Sequence, residues 1–178
     1  MRISDDLFLG VDPGVTGAWS LLTSKGTVYA AGLWEARFNL LALFKRDVLP
    51  VCCCLEKVAS MPRQGVKSVF TFGKNAGYWL GVMEALQIPV IEITPEKWQK
   101  TVLDYRPTKL PKQQTETVED TAKRRNQNRN FLKQHIVNFV YKRFPDSVDI
   151  IKLKKHYDIA DAICLAEYAR KYYTVENP

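Results

Sequence analysis

The stretch FLGVDPGVTGAWSLL, residues 8–22, constrains the fold more than any other part of this chain. Two apolar runs, 7–11 and 18–23, flank a loop carrying Pro13, Gly14 and Gly17, and a third run, 27–32, follows the turn Ser24-Lys25-Gly26. Short apolar runs punctuated by glycine and proline read as strands, and turns this tight join them into an antiparallel meander. The chain is therefore built on a sheet from this segment onward. One residue breaks the pattern: Asp12 sets a carboxylate among apolar neighbours.

The rest of the chain adds alternating elements. Residues 39–47 have helical apolar spacing and end before Pro50, and VCCCLE reads as a buried strand that finishes on Glu56. Residues 70–86 read as partly helical despite Gly73, Gly77 and Gly81. IPVIEIT is another short strand, and Pro95 suits the first position of a helix carrying Trp98. From 104 to 130 the chain is polar and basic, before a periodic helix with Leu132, Ile136, Phe139 and Val140 on one side that ends near Phe144-Pro145. The last segment, YDIADAICLAEYARKYY, is a helix with Ile159, Ala162, Ile163 and Ala166 as its apolar stripe. The reading is an α/β fold with a central mixed five-stranded sheet, its first three strands antiparallel, flanked by helices. With 178 residues, 46% of them hydrophobic, the chain suits one core, so 1–178 is expected to be one domain with a polar basic segment at about 104–130.

Composition narrows the function classes. No run approaches the ~18 apolar residues of a membrane span and no signal-peptide block is evident, so a cytoplasmic location with no membrane partner is expected. Cys52, Cys53 and Cys54 alternate between the faces of a strand, which suits packing rather than a disulfide framework or zinc cluster, and Cys164 reads as core in the same way. A net charge of +7 favours an anionic partner, with nucleic acid the leading candidate.

Asp12 has company. Asp158 and Asp161 stand three residues apart at the start of the last helix, so they share a face and interrupt a surface that should pack on the sheet. With Glu56 they make four acids drawn from the first strand, the fourth strand and a late helix. Each has a plain structural explanation: a turn residue before Pro13-Gly14, a strand-end pair with Lys57, or caps that favour a helix dipole. Their joint occurrence favours convergence. Gathering carboxylates without a cation is expensive, and hard oxygen ligands suit Mg²⁺ or Mn²⁺. Two such ions about 4 Å apart can activate water and stabilise a leaving oxygen in phosphodiester hydrolysis.

Three segments, LGVDPGVTGAWSLL, CCLEKV and HYDIADAICLA, resemble the motifs of the RuvC group of Holliday junction resolvases, within the RNase H-like superfamily. The first matches an Asp followed by Pro-Gly and a hairpin Gly, the second a strand ending in a catalytic Glu, and the third Asp-x-x-Asp-Ala followed by apolar residues. The resemblance covers nearly the whole chain. It implies an RNase H-like fold in which Asp12, Glu56, Asp158 and Asp161 are the metal-binding catalytic acids for Mg²⁺, with Mn²⁺ as substitute and two ions per site. It further implies products with a 5′-phosphate and a 3′-hydroxyl. The segments at 62–81 and 93–100 are more like the resolvases of phages and some viruses. FLKQHIVNFV resembles the basic helix of the family, which gives Lys133 a phosphate-contacting role near the metals. Relatives often place Lys directly after the Trp; here Gln99 follows Trp98, so Lys97 and Lys100 both stand as candidates for a phosphate contact.

Arg125, Arg129 and Lys133 share a helical face and, with Arg124, can track a DNA backbone; a solvated face is the alternative. Phe70, Phe72, Tyr78 and Trp79 are candidates for a wedge that unstacks bases, set against ordinary core packing. His156 can assist a metal or a proton transfer, or simply lie on the surface. The expected function is a metal-dependent, structure-selective endonuclease that resolves four-way DNA junctions by paired symmetric cuts. One chain carries one set of acids and resolution needs two cuts, so a homodimer is expected, with its interface drawn from residues 70–86. The rivals are a debranching nuclease acting equally on flaps, forks and Y-structures, an inactive junction-binding protein, and a phosphate-binding protein of the actin and sugar-kinase type. The last needs a second phosphate hairpin and a longer chain, and leaves Asp158 and Asp161 unexplained.

Overall fold

The computed structural model describes residues 5–57, 65–103, 107–112, 114–147, 149, 151 and 157–173. Strands β1 (Leu7–Asp12), β2 (Ala18–Thr23), β3 (Val28–Leu33), β4 (Cys52–Glu56) and β5 (Val90–Ile93) form one sheet in the order β3-β2-β1-β4-β5. The first three are antiparallel, and β4 runs parallel to both β1 and β5. The expected mixed sheet is thus present.

Strand alternation divides the core into two layers. Leu7, Leu9, Val11, Cys53 and Leu55 pack with Leu40 and Phe44 of α1 (Arg37–Phe44) and with Trp79 and Met83 of α2 (Val66–Ala85). Phe8, Cys52 and Cys54 pack on the opposite face with residues of α3 (Pro95–Val102), α4 (Val118–Arg143) and α5 (Tyr157–Tyr172). All four cysteines are free and buried, as their apolar settings imply, and burial pushes the Cys52 thiol up to about 12. By the same alternation Asp12 shares the face of Phe8 and Gly10, and Glu56 that of Cys52 and Cys54. Both acids therefore stand at strand ends on the α5 side of the sheet.

Gly10 decides how close α5 comes. A methyl group there would lie 2.1 Å from the carbonyl oxygen of Ala162 and 2.2 Å from the amide nitrogen of Ala166, so helix backbone rests directly on strand backbone. The helix contributes Ile159, Ile163 and Leu165 to the interior, and only small side chains, Ala160, Ala162, Ala166 and Ala169, are compatible with so short a separation. Its C-terminal half is tied down by Glu167. That buried carboxylate accepts two hydrogen bonds from Arg170, at 2.6 and 2.9 Å, and has Lys171 at 3.4 Å and Arg143 of α4 at 3.7 Å. Arg170 also donates to the Ser24 carbonyl in the β2–β3 turn, at 3.1 Å.

Element boundaries differ from the sequence reading chiefly in α4, which begins at Val118 and so extends well into the polar basic segment. Apolar periodicity was silent there because the buried residues, Ile136, Val137, Phe139 and Val140, all lie in the second half. The first half is held by local terms instead. Thr117 and Asp120 form a reciprocal capping box, and Lys123 pairs with Glu119 one turn away at 2.8 Å. Helix α2 likewise starts at Val66, and its three glycines are accommodated within a continuous helix.

Replacing Gly10 with Ala should lower stability by about 3 kcal/mol, the upper range for overpacking, because both clashing atoms are backbone and cannot swing aside. Urea denaturation of the variant beside the parent, with unchanged m, measures this. A loss below about 0.5 kcal/mol would show that α5 does not rest on β1 as described.

Candidate metal centre

Asp12 closes β1, and the register that pairs Val11 with Leu55 brings it opposite Glu56 at the end of β4. The chain then leaves β1 through a tight loop. The Gly14 amide donates to Asp12 Oδ1 at 2.8 Å, an Asx-type turn that fixes the carboxylate. Gly17 has φ of +47°, and a methyl group there would come within 2.9 Å of the Asp12 and Gly14 carbonyl oxygens, so glycine is required. Asp158 and Asp161 arrive on the first turns of α5. Carboxylate oxygens of Asp12, Asp158 and Asp161 lie within 4.8 Å of one another.

Neighbouring groups orient these acids. The Trp98 indole N–H on α3 donates to Glu56 Oε1 at 2.8 Å, while the Thr16 hydroxyl in the β1–β2 loop donates to Asp158 Oδ2. Lys133 on α4 sets its ammonium 3.6 Å from Asp158 Oδ1 and 5.5 Å from the centre of the Tyr157 ring. Asn75, buried on α2, donates its side-chain N–H to the Gly14 carbonyl at 3.0 Å and so fastens the β1–β2 loop from the other face of the sheet.

Among the described residues, the charges around the cluster do not balance it. Burial, then the charges of Glu56 and Asp158, raise Asp12 from its ordinary 3.8 to about 8, against smaller opposing effects of the Gly14 amide and Lys133. Burial and then Asp12, Glu56 and Asp158 push Asp161 well up. Burial raises Glu56 too, offset in part by the Trp98 hydrogen bond. Among the described residues one lysine faces four acids, which leaves an excess of negative charge among hard oxygen donors, and a divalent cation of the Mg²⁺ or Mn²⁺ type fits that donor set. Asp12, Asp158 and Asp161 are the residues that can hold it; Glu56 falls outside that group but is near enough for its charge to raise Asp12 and Asp161.

Other candidates from the sequence sit elsewhere. Arg125 and Arg129 are exposed further along α4, while Arg124 is engaged by Glu116 at 2.6 Å. Lys97 and Lys100 are exposed on α3, and the intervening Gln99 turns inward. Phe70 is 72% exposed, Phe72 is half-buried, Tyr78 packs edge-on against Trp34 and Trp79, and Trp79 is buried in the core. Of the four wedge candidates Phe70 is thus the free one and Trp79 is a core residue. His156 lies outside the described residues. Thr16 and Asn75 were missed by sequence reasoning. Asn75 left a faint signal, as a poor helix former on the buried 75/79/83 stripe of α2; Thr16 left none, since nothing local distinguishes a loop hydroxyl that meets an acid 142 residues away.

Neither a family model nor a curated protein sequence matches this chain. Solved structures do. A structure of T. thermophilus RuvC in complex with a Holliday junction substrate superposes with a TM-score of 0.54 at 15% identity, covering 93% of this chain and 96% of that one. A second Thermus thermophilus RuvC structure gives 0.48 at 13% identity with the same coverage. The likeness to the first of these shows a RuvC-like fold. Among the described residues no helix is long and apolar enough to cross a membrane.

The raised Asp12 sets a pH dependence. A carboxyl with a folded value near 8 and an unfolded value of 3.8 contributes stability that is fully present below 3.8 and lost as pH rises through about 8. Melting of the EDTA-treated protein should therefore drop between pH 5 and pH 8.5, roughly, and Mg²⁺ should restore it most at the upper end. Asp12→Asn should flatten the profile and melt higher than the parent at alkaline pH without metal. A profile unaffected by pH, Mg²⁺ and the substitution would contradict the electrostatic description.

Proposed function

We propose that this chain is a metal-dependent, structure-selective endonuclease that resolves four-way DNA junctions by paired symmetric phosphodiester cuts. The observation that carries the reading is the convergence of Asp12, Asp158 and Asp161, with Glu56 alongside, at one end of a RuvC-like sheet and next to Lys133. Residues 1–178 act as one nuclease domain, and the motif details at 62–81 and 93–100 favour the phage and viral branch of such enzymes.

In this reading Asp12, Asp158, Asp161 and Glu56 hold two Mg²⁺ or Mn²⁺ ions. When bound, such ions lower the pKa of a water and neutralise charge on the departing oxygen. The chain's residues do the rest. Asp12 is held by the Gly14 amide and Glu56 by Trp98, so neither carboxylate must reorganise as charge develops. Lys133 neutralises the scissile phosphate, and its pairing with Asp158 gives way to that contact as DNA enters. Water attacks phosphorus, the bond to the 3′ oxygen breaks, and the ends are a 5′-phosphate and a 3′-hydroxyl. Arg125, Arg129, Lys97 and Lys100 supply exposed positive charge for the backbone, Arg124 sits beside them in its pair with Glu116, and Phe70 with Phe72 faces the junction centre.

A homodimer supplies two sites with matching geometry. Its interface is α2, where Gly73, Gly77 and Gly81 recur at one-turn spacing with open space beside each, and where Phe70 and Leu80 are exposed. Small residues at that spacing let a second helix approach closely.

Asp12→Asn, Glu56→Gln, Asp158→Asn and Asp161→Asn should each reduce cleavage of a synthetic four-way junction by at least about a hundredfold while leaving binding within about threefold, because binding rests on the basic surface. Mg²⁺ and Mn²⁺ should support cutting and Ca²⁺ only binding. Sedimentation should give a dimer, and a cruciform plasmid should be cut on both strands within one binding event. Activity in EDTA would remove the metal; a monomer on DNA that makes single nicks and cuts flaps equally well would favour the debranching nuclease.

A further inference from the structure

One to two turns before Lys133 on α4 lies a cleft of about 470 Å³ between that helix and residues 107–109. Among its lining residues are Lys109, Arg125 and Arg129, with Asn128, Phe131 and Pro107. Among the described residues no carboxylate lines it and none of those three cations has an ion-pair partner. The remaining arginine at its wall, Arg124, is neutralised by Glu116 and also donates to the Leu110 carbonyl at 3.5 Å. The Leu110 amide donates to Asn128 Oδ1 at 2.8 Å. These bonds clamp the 107–112 segment onto α4, so the cleft is preformed.

Its chemistry is specific. Three unpaired cations favour phosphate, and the Asn128 amide N–H groups remain available because its oxygen is the atom already used. Phe131, 54% exposed, adds an aromatic surface that backbone recognition alone does not need. A concave site of this volume suits a small ligand with one flat apolar part and one anionic part. Base stacked on an aromatic with phosphate on arginines is the standard arrangement for single-stranded nucleic acid.

Position supplies the substrate. Arg125, Arg129 and Lys133 follow one another at one-turn intervals, so the cleft reaches to within about 6–12 Å of Lys133 along the helix axis. Lys133 meets Asp158 of the acid cluster. We infer that the cleft binds an unpaired nucleotide of the strand entering the acid cluster, its base on Phe131 and its phosphate between Arg125 and Arg129. This rests on the nuclease reading for the identity of that strand, and it gives the enzyme a means of recognising opened DNA near a branch point.

The test measures binding of the full chain, in EDTA, to fluorescein-labelled ten-nucleotide oligothymidylate and to an abasic oligonucleotide of the same length and charge. The parent should bind the thymidine strand at least about fivefold more tightly. Phe131→Ala should erase that preference and Phe131→Trp should keep it, whereas Arg125→Ala and Arg129→Ala should weaken both ligands and reduce the salt slope by about one each. Equal affinity for the two strands, a preference that survives Phe131→Ala, or competition by polyglutamate as effective as by oligothymidylate would overturn the inference. The assay involves no cleavage. A base preference without junction cutting would sink the nuclease reading and leave the cleft standing, and junction cutting without base preference would do the reverse.

Discussion

The contact of the α5 backbone with Gly10 is the constraint on which the site depends. Gly10 lies two residues before Asp12, on the same face of β1, and the atoms that a methyl group would strike belong to Ala162 and Ala166, just after Asp161. Removing one side chain from the strand therefore lowers the helix onto the sheet where its first turns carry acids. The arrangement opposes itself electrostatically. Burial first, and then repulsion from Glu56 and Asp158, raise Asp12 to about 8 and so oppose its ionised form. Burial of Ile159, Ile163 and Leu165 keeps the helix on the sheet against that opposition and so holds the acids together.

Around this contact a set of hydrogen bonds fixes each carboxylate from a different element: Gly14 for Asp12, Trp98 for Glu56, and Thr16 for Asp158. Outer partners of this kind orient ligands and tune them, and their loss usually affects a metal site about 10- to 100-fold. Asn75 extends the network across the sheet. It joins α2 to the loop that follows Asp12, so a shift of that helix has a direct mechanical route to the acids.

Much of the fold was legible because the sheet announces itself. The runs at 7–11, 18–23 and VCCCLE are short, apolar and bounded by turn residues, and the structure places strands there with shifts of a residue or so. The acids were legible as breaks in apolar patterns: Asp12 and Glu56 end buried strands, and Asp158 and Asp161 interrupt a buried helix. What stayed hidden depends on distance in the chain or on absence of pattern. The first half of α4 buries nothing and so has no period. The Glu116–Arg124 pair, which removes one arginine from the basic face, joins residues whose side chains nothing in the sequence pairs. Trp79 has the sequence setting of a wedge aromatic but lies on the buried face of α2, against Trp34 and Tyr78.

The proposed function requires Asp12, Asp158 and Asp161, with Glu56 alongside, to hold a divalent cation. Anomalous diffraction from crystals grown with Mn²⁺ tests it most directly. The prediction is anomalous density within bonding distance of the Asp12, Asp158 and Asp161 carboxylates, lost in the Asp12→Asn protein. Crystals saturated with Mn²⁺ that show no density among these acids, with Lys133 still paired to Asp158, would contradict it.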